Sequence, residues 1–184
     1  MARPGPIRRT RADLITASAN PHSSDTVLFA TLLSAQSETH LLGLSCTQTA
    51  WIYERHFGGL AAPAANVLIQ SQEHSAFIKS LSDFLLCHIA DSVEITNAQC
   101  VATIIAHACL RPDHLWRDLG LGGRDEVTAM LDRYFPTLVK RNTDATRWKK
   151  FLARELALSL GMAPRPAPGC PGCEDFDICF GSGP

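Results

Sequence analysis

The chain reads as an all-α protein, an irregular helical domain of about six helices with a Pro/Gly/Cys-rich C-terminal tail. Three observations carry this. Apolar residues recur near helical spacing in a series of stretches, no stretch alternates apolar and polar residues as a half-buried strand does, and prolines and glycines gather at the ends and in the links. The 184 residues are 46% hydrophobic and 19% charged, enough apolar surface for one domain with a real core, which excludes full disorder.

Residues 1–23 combine Pro4, Pro6, Pro21 and Gly5 with arginines and show no apolar period, so they are expected to form a flexible N-terminal arm. The helical domain is expected over 24–161. Ser24 is a candidate cap for a helix carrying Leu28, Phe29, Leu32 and Leu33, and a second helix is expected from Cys46 to about His56, interrupted by Gly58, Gly59 and Pro63. From about Glu73 the positions Phe77, Leu81, Phe84, Leu85 and His88 follow the helical repeat. Asn97 is the candidate cap of the next helix, whose Val101, Ile104, Ile105 and Ala108 form one stripe until Pro112 disfavours helix at Arg111. A link, 112–123, follows. Asp125 and Glu126 favour a helix start electrostatically, and Val127, Met130, Leu131 and Tyr134 supply its buried stripe up to Pro136. Thr143 or Asp144 is expected to cap the last helix, with Trp148, Phe151, Leu152 and Leu156 inward and Gly161 terminating it in the left-handed conformation. Residues 162–184 then hold so many prolines and glycines that an extended tail with tight turns is expected.

Seventeen basic and eighteen acidic residues give a net charge near −1, so no global field drives the chain onto nucleic acid or anionic lipid. With no interleaved aromatic surface and no reading module, nucleic acid is not an expected partner. The apolar stretches are too short to span a bilayer, and Arg8 and Arg9 are followed by Thr10, Arg11, Ala12 and Asp13 where an export signal needs an apolar core, so the expectation is a cytoplasmic protein without membrane contact. There is no glycine-rich phosphate loop and no nucleophile elbow, and the chain is not expected to be an enzyme.

Cysteines are the informative residues. Cys46, Cys87, Cys100 and Cys109 are scattered through expected helices and suit buried free thiols in a reducing compartment. Cys170, Cys173 and Cys179 instead fall close together in the tail. Two residues between the first pair let both thiolates turn toward one metal centre, and five more permit a return loop, while Pro171 and Gly172 bias the turn and Phe176, Ile178 and Phe180 can shield the site. Three thiolates do not close a four-coordinate site. Zinc wants a fourth protein ligand, as in a zinc-stabilised helical protein-interaction module, whereas an iron-sulfur cubane can rest on three cysteines with one corner open. Idle thiols, or a Cys-x-x-Cys redox pair without its usual strand context, are the plainer alternatives.

Several ordered blocks carry a resemblance: Ala108–Leu121 (ACLRPDHLWRDLGL), Tyr134–Pro136 (YFP), Lys140–Asn142 (KRN), Arg147–Phe151 (RWKKF) and the closing Cys179–Gly181 (CFG). From about Ile78 to Gly181 the chain resembles the NifQ family of biological nitrogen fixation. The resemblance implies an all-helical cytoplasmic protein whose Cys170, Cys173 and Cys179 bind an iron-sulfur cluster of the 4Fe-4S or 3Fe-4S type together with molybdenum. It further implies that the protein takes molybdenum from molybdate or a molybdenum donor. That molybdenum passes to the nitrogenase cofactor-assembly proteins, a scaffold and the nitrogenase iron protein, for the iron-molybdenum cofactor. The family pattern is Cys-x4-Cys-x2-Cys-x5-Cys, and its first position falls here on Arg165. Either the cluster rests on three cysteines, or another side chain substitutes, or this copy holds its metal poorly. Cys109 and His114 are the candidate substitutes, each with a plainer reading as a buried small residue or a packed histidine.

On the last helix Arg147, Lys150 and Arg154 share a face, with Lys149 apart and Lys140 and Arg141 upstream. This patch either attracts an anion or acidic partner or is an ordinary solvated face. In the 112–123 link, His114, Trp116, Arg117 and Asp118 either form a site or satisfy helix ends, and His56, His74, His88 and His107 show no metal spacing with one another.

Overall fold

The computed structural model describes residues 9–35, 42–63 and 70–181. They fall in two compact units, Met1–Leu68 and Ile69–Pro184. All regular structure among the described residues is helical, and no helix there is long and apolar enough to cross a membrane.

The first unit holds α1 (Arg11–Thr16), α2 (Ser24–Ala35) and α3 (Cys46–His56). Helix α1 lies where a flexible arm is expected. It forms because Thr10 and Asp13 make a reciprocal capping box, and it stays because Leu14 is buried and Arg11 Nε donates to Thr31 Oγ1 of α2 at 3.0 Å. Helix α3 starts with the same device, Ser45 with Gln48. Inside, Phe29, Ile52 and Phe57 are fully enclosed, and the buried His56 sets Nδ1 3.2 Å from Thr26 Oγ1 with Phe29 against its ring.

The second unit holds α4 (Gln72–Leu86), α5 (Ile95–Ala108), α6 (Leu115–Leu119), α7 (Arg124–Tyr134), α8 (Pro136–Arg141), α9 (Trp148–Ser159) and α10 (Phe176–Phe180). Helix α5 is its axis: it pairs with α4 and α6, while α4 also meets α9 and α7 meets α6 and α8. Leu81 and Leu85 of α4, Val101 and Ile105 of α5, Leu131 and Tyr134 of α7 and Phe151 and Leu152 of α9 are all but sealed from solvent. At about 1.5–3 kcal/mol for each large apolar side chain buried, these residues dominate the favourable side of folding.

Two helix starts differ from expectation. Glu94, not Asn97, caps α5, its Oε1 accepting from Thr96 N at 3.0 Å, and Asn97 sits buried inside the helix. Neither Thr143 nor Asp144 caps α9. Asn142 clamps Thr146 through its side chain, accepting from the backbone N and donating to the carbonyl at 2.9 Å each, and the extended Arg147 delays the helix until Trp148. Gly161 does adopt the left-handed conformation beyond α9, at φ +68°. The tail is more ordered than expected: Cys170–Gly172 form a 3-10 turn and α10 follows. Five residues are too few for periodicity to announce a helix against a background of prolines and glycines.

Candidate metal centre

The site is built on the stretch that leaves α5. Cys109 closes that helix, Pro112 prevents its continuation, and α6 opens after His114. The tail returns across this link. Gly169 N donates to the Cys109 carbonyl at 2.9 Å, so closely that a Cβ on Gly169 would stand 2.0 Å from the Arg111 carbonyl oxygen. A Cβ on Gly172 would likewise meet the Pro112 ring at 2.5 Å. Both glycines are there for approach, not for turn geometry. Anchored in this way, the 3-10 turn presents Cys170 and Cys173, and α10 presents Cys179.

All three cysteines border one cavity of about 190 Å³. Its cationic wall comes from Arg124 of α7 and from Arg147, Lys149 and Lys150 at the start of α9, and its aromatic wall from Trp116, Trp148, Phe176 and Phe180. Ile178, expected to join the shield, points outward at 75% exposure, because on a helix it shares no face with residues two positions away on either side.

The cations also hold the tail. Arg147 Nη1 lies 3.3 Å from Cys179 Sγ and 2.8 Å from Asp175 Oδ2, and Lys150 donates to the Cys179 carbonyl while its ammonium lies 5.0 Å from the Phe180 ring centre. The same Asp175 Oδ2 is 2.9 Å from His114 Nε2. Lys149, buried, donates to the Arg111 carbonyl at 2.7 Å and pairs with Asp118. Of the basic residues noted in the sequence, Arg147 and Lys150 therefore face the cavity, whereas Arg154 and Arg141 are engaged by Glu155. Lys149, set apart by helical spacing, and Arg124, unremarked in the sequence, line it as well.

Burial pushes the Cys170 thiol up, and the nearby Lys149 ammonium acts in the opposite direction. Cys109 is different. It is fully enclosed, burial pushes its thiol up to about 12, and it is absent from the cavity wall, while its carbonyl accepts from Gly169 N of the tail. Of the two readings the sequence leaves open for Cys109, the structure matches the plainer one, a buried core residue. Arg165, in the exposed run before the turn, is not on the wall either, whereas His114 is. Asp113, His114 and Glu174 bring one ligand atom each within 4.8 Å, but Arg117 already pairs with both carboxylates, at 3.2 and 2.7 Å.

The donor set suits a metal-sulfur cargo. Three soft sulfur donors are suited to ligate metal, and four cations beside them are suited to offset the net negative charge that thiolates and sulfides carry. The aromatic wall restricts water.

Comparison with known proteins agrees with the sequence blocks. The NifQ family model matches residues 25–181. The chain is 36% identical over 174 residues to the "Protein NifQ homolog" of Sinorhizobium fredii (strain NBRC 101917 / NGR234), covering 86% of this chain and 73% of that protein. With "Protein NifQ" of Rhodobacter capsulatus it shares 28% identity over 142 residues, 77% of each chain. With that of Azotobacter vinelandii it shares 43% identity over 82 residues, covering 45% of this chain and 42% of the other. No solved structure matches the chain. On the breadth of the family match and the order of its blocks, the chain belongs to the NifQ family.

Proposed function

We propose that this protein is a carrier in nitrogen fixation. The thiolates of Cys170, Cys173 and Cys179 hold an iron-sulfur cluster of the 4Fe-4S or 3Fe-4S type, or a molybdenum-iron-sulfur unit, and the protein donates molybdenum for biosynthesis of the nitrogenase iron-molybdenum cofactor. One observation carries the reading: three cysteines and four cations, drawn from segments far apart in sequence, border a single cavity. Membership in the NifQ family supports the cargo.

In this reading the cluster is cargo and the protein supplies no covalent chemistry. Each thiol gives up its proton as its sulfur–metal bond forms. Arg147 donates to the sulfur of Cys179 and keeps α10 against α9. Arg124, Lys149 and Lys150 balance the charge of the anionic cargo, and the same wall attracts molybdate. Release is ligand exchange, so a receiving scaffold or the nitrogenase iron protein has to reach the metal. The partly exposed Cys173 and Cys179, on one turn and a five-residue helix, are the accessible side.

A cluster fits the cysteines better than one zinc ion. A zinc site gathers its sulfurs about 2.3 Å from one centre, whereas a cluster offers each thiolate its own iron. Among the described residues the trio gathered within 4.8 Å is Asp113, His114 and Glu174, not the three cysteines.

Anaerobic protein loaded with iron, sulfide and molybdate is expected to be brown and to pass molybdenum to a cofactor-assembly mixture lacking any other source. Loaded protein carrying one zinc and no sulfide, or loaded protein that delivers no molybdenum, contradicts the proposal.

A further inference from the structure

We propose that the imidazole of His114 is a fourth protein ligand, beside Cys170, Cys173 and Cys179, to the cargo held in this cavity. The inference rests on the reading above that the cavity holds a metal-sulfur cluster.

Three thiolates leave one metal corner of a four-iron cluster without a protein donor. The cavity wall limits what can fill it. Apart from the cysteines, the side chains on the wall able to give a metal a lone pair, without first losing a proton from a cation, are Asp113 and His114. Asp113 is committed, its Oδ1 accepting from His114 N at 2.6 Å and from Arg117 at 3.2 Å. Cys109, the remaining thiol near the tail, lies behind the wall and is fully enclosed.

His114 has the support that a metal-binding histidine needs. Its Nε2 lies 2.9 Å from Asp175 Oδ2, and a ring that donates Nε2–H to a carboxylate keeps its lone pair on Nδ1, fixed in tautomer. Asp175 is in turn held by Arg147, which also reaches Cys179 Sγ, so one network orients the imidazole and a cysteine ligand together. The backbone fixes the ring further: His114 is the residue before α6, and its ring lies nearly parallel to Trp116, 12° apart with centroids at 6.4 Å. Its side chain is 20% exposed, held yet reachable. Imidazole in place of a thiolate also makes that corner less negative and raises the cluster's reduction potential.

The test is pulsed electron paramagnetic resonance of the reconstituted, reduced full-length protein with ¹⁵N-labelled histidine. A directly coordinated histidine nitrogen is expected in the wild type. The coupling is expected to vanish in His114→Ala, and also in His114→Cys, which retains iron and shifts the midpoint potential downward. A wild-type cluster without strong nitrogen coupling overturns the assignment, as does coupling that survives in His114→Ala, while either result leaves the carrier reading standing. Wild-type protein that binds no iron under reconstitution overturns both.

Discussion

Helix α5 and the C-terminal tail each carry cysteines, and the two sets could hardly be placed more differently. Cys100 and Cys109 belong to a helix enclosed on most sides, where burial pushes both thiols up to about 12 and leaves them small apolar residues in all but name. Cys170, Cys173 and Cys179 border a cavity whose other wall is cationic. Cys170 shows the transition between the sets: burial raises its thiol as it does in α5, and Lys149 opposes the effect at Cys109 and Cys170 alike, but only at Cys170 does the cavity adjoin the residue. What separates an inert cysteine from a candidate ligand here is not depth or nearby positive charge, which Cys109 and Cys170 share, but the open space beside the residue. A raised thiol has to lose its proton to bind metal, so cargo affinity is expected to rise with pH and weaken as pH falls.

The comparison breaks most visibly if the cationic wall is removed. Lys149→Met takes from the buried Asp118 one of its two cationic partners, Arg111 remaining at 3.5 Å, and from the Arg111 carbonyl its donor, together expected to cost about 3 kcal/mol in urea unfolding alongside weaker iron retention. Unchanged stability means the ammonium is not paired as described. Next in size is Gly169→Ala, whose methyl would collide with the Arg111 carbonyl; about 2 kcal/mol of overpacking and partial loss of bound iron are expected. Cys100→Ala sharpens the contrast from the other side, with about 1 kcal/mol of lost packing and iron binding unchanged. The smallest effect concerns His107, whose ring is held low chiefly by burial. A histidine harder to protonate in the folded chain contributes stability that is present above its ordinary value of 6.5 and is lost as pH falls through its lowered folded value. The thermal midpoint of wild type is therefore expected to drop below that pH more than that of His107→Gln.

Among the described residues, the six helices of 11 residues or more, α2, α3, α4, α5, α7 and α9, are the ones legible in the sequence, because each runs long enough to repeat its apolar stripe. The four of five or six residues, α1, α6, α8 and α10, were not. Two of them carried signals of another kind: the Thr10/Asp13 capping box before α1, and Pro136, which reads as the end of α7 and is the first residue of α8. The cysteine spacing makes the tail the place to look, and the basic face read at the start of α9 holds two of the cavity's cations, Arg147 and Lys150. Arg124 and the inward reach of Lys149 depend on how α7 and α9 pack against the link after α5, which no local pattern encodes. The same packing separates His114 from Cys109, equivalent candidates in sequence, by placing one on the cavity wall and the other behind it.

Iron, sulfide and molybdenum per chain, quantified side by side after anaerobic reconstitution of wild type, Cys100→Ala and the combined Cys170→Ser, Cys173→Ser and Cys179→Ser variant, address the central claim most directly. Full loading of the first two and none of the third is the expected outcome. Equal loading of all three, in folded protein, contradicts the account.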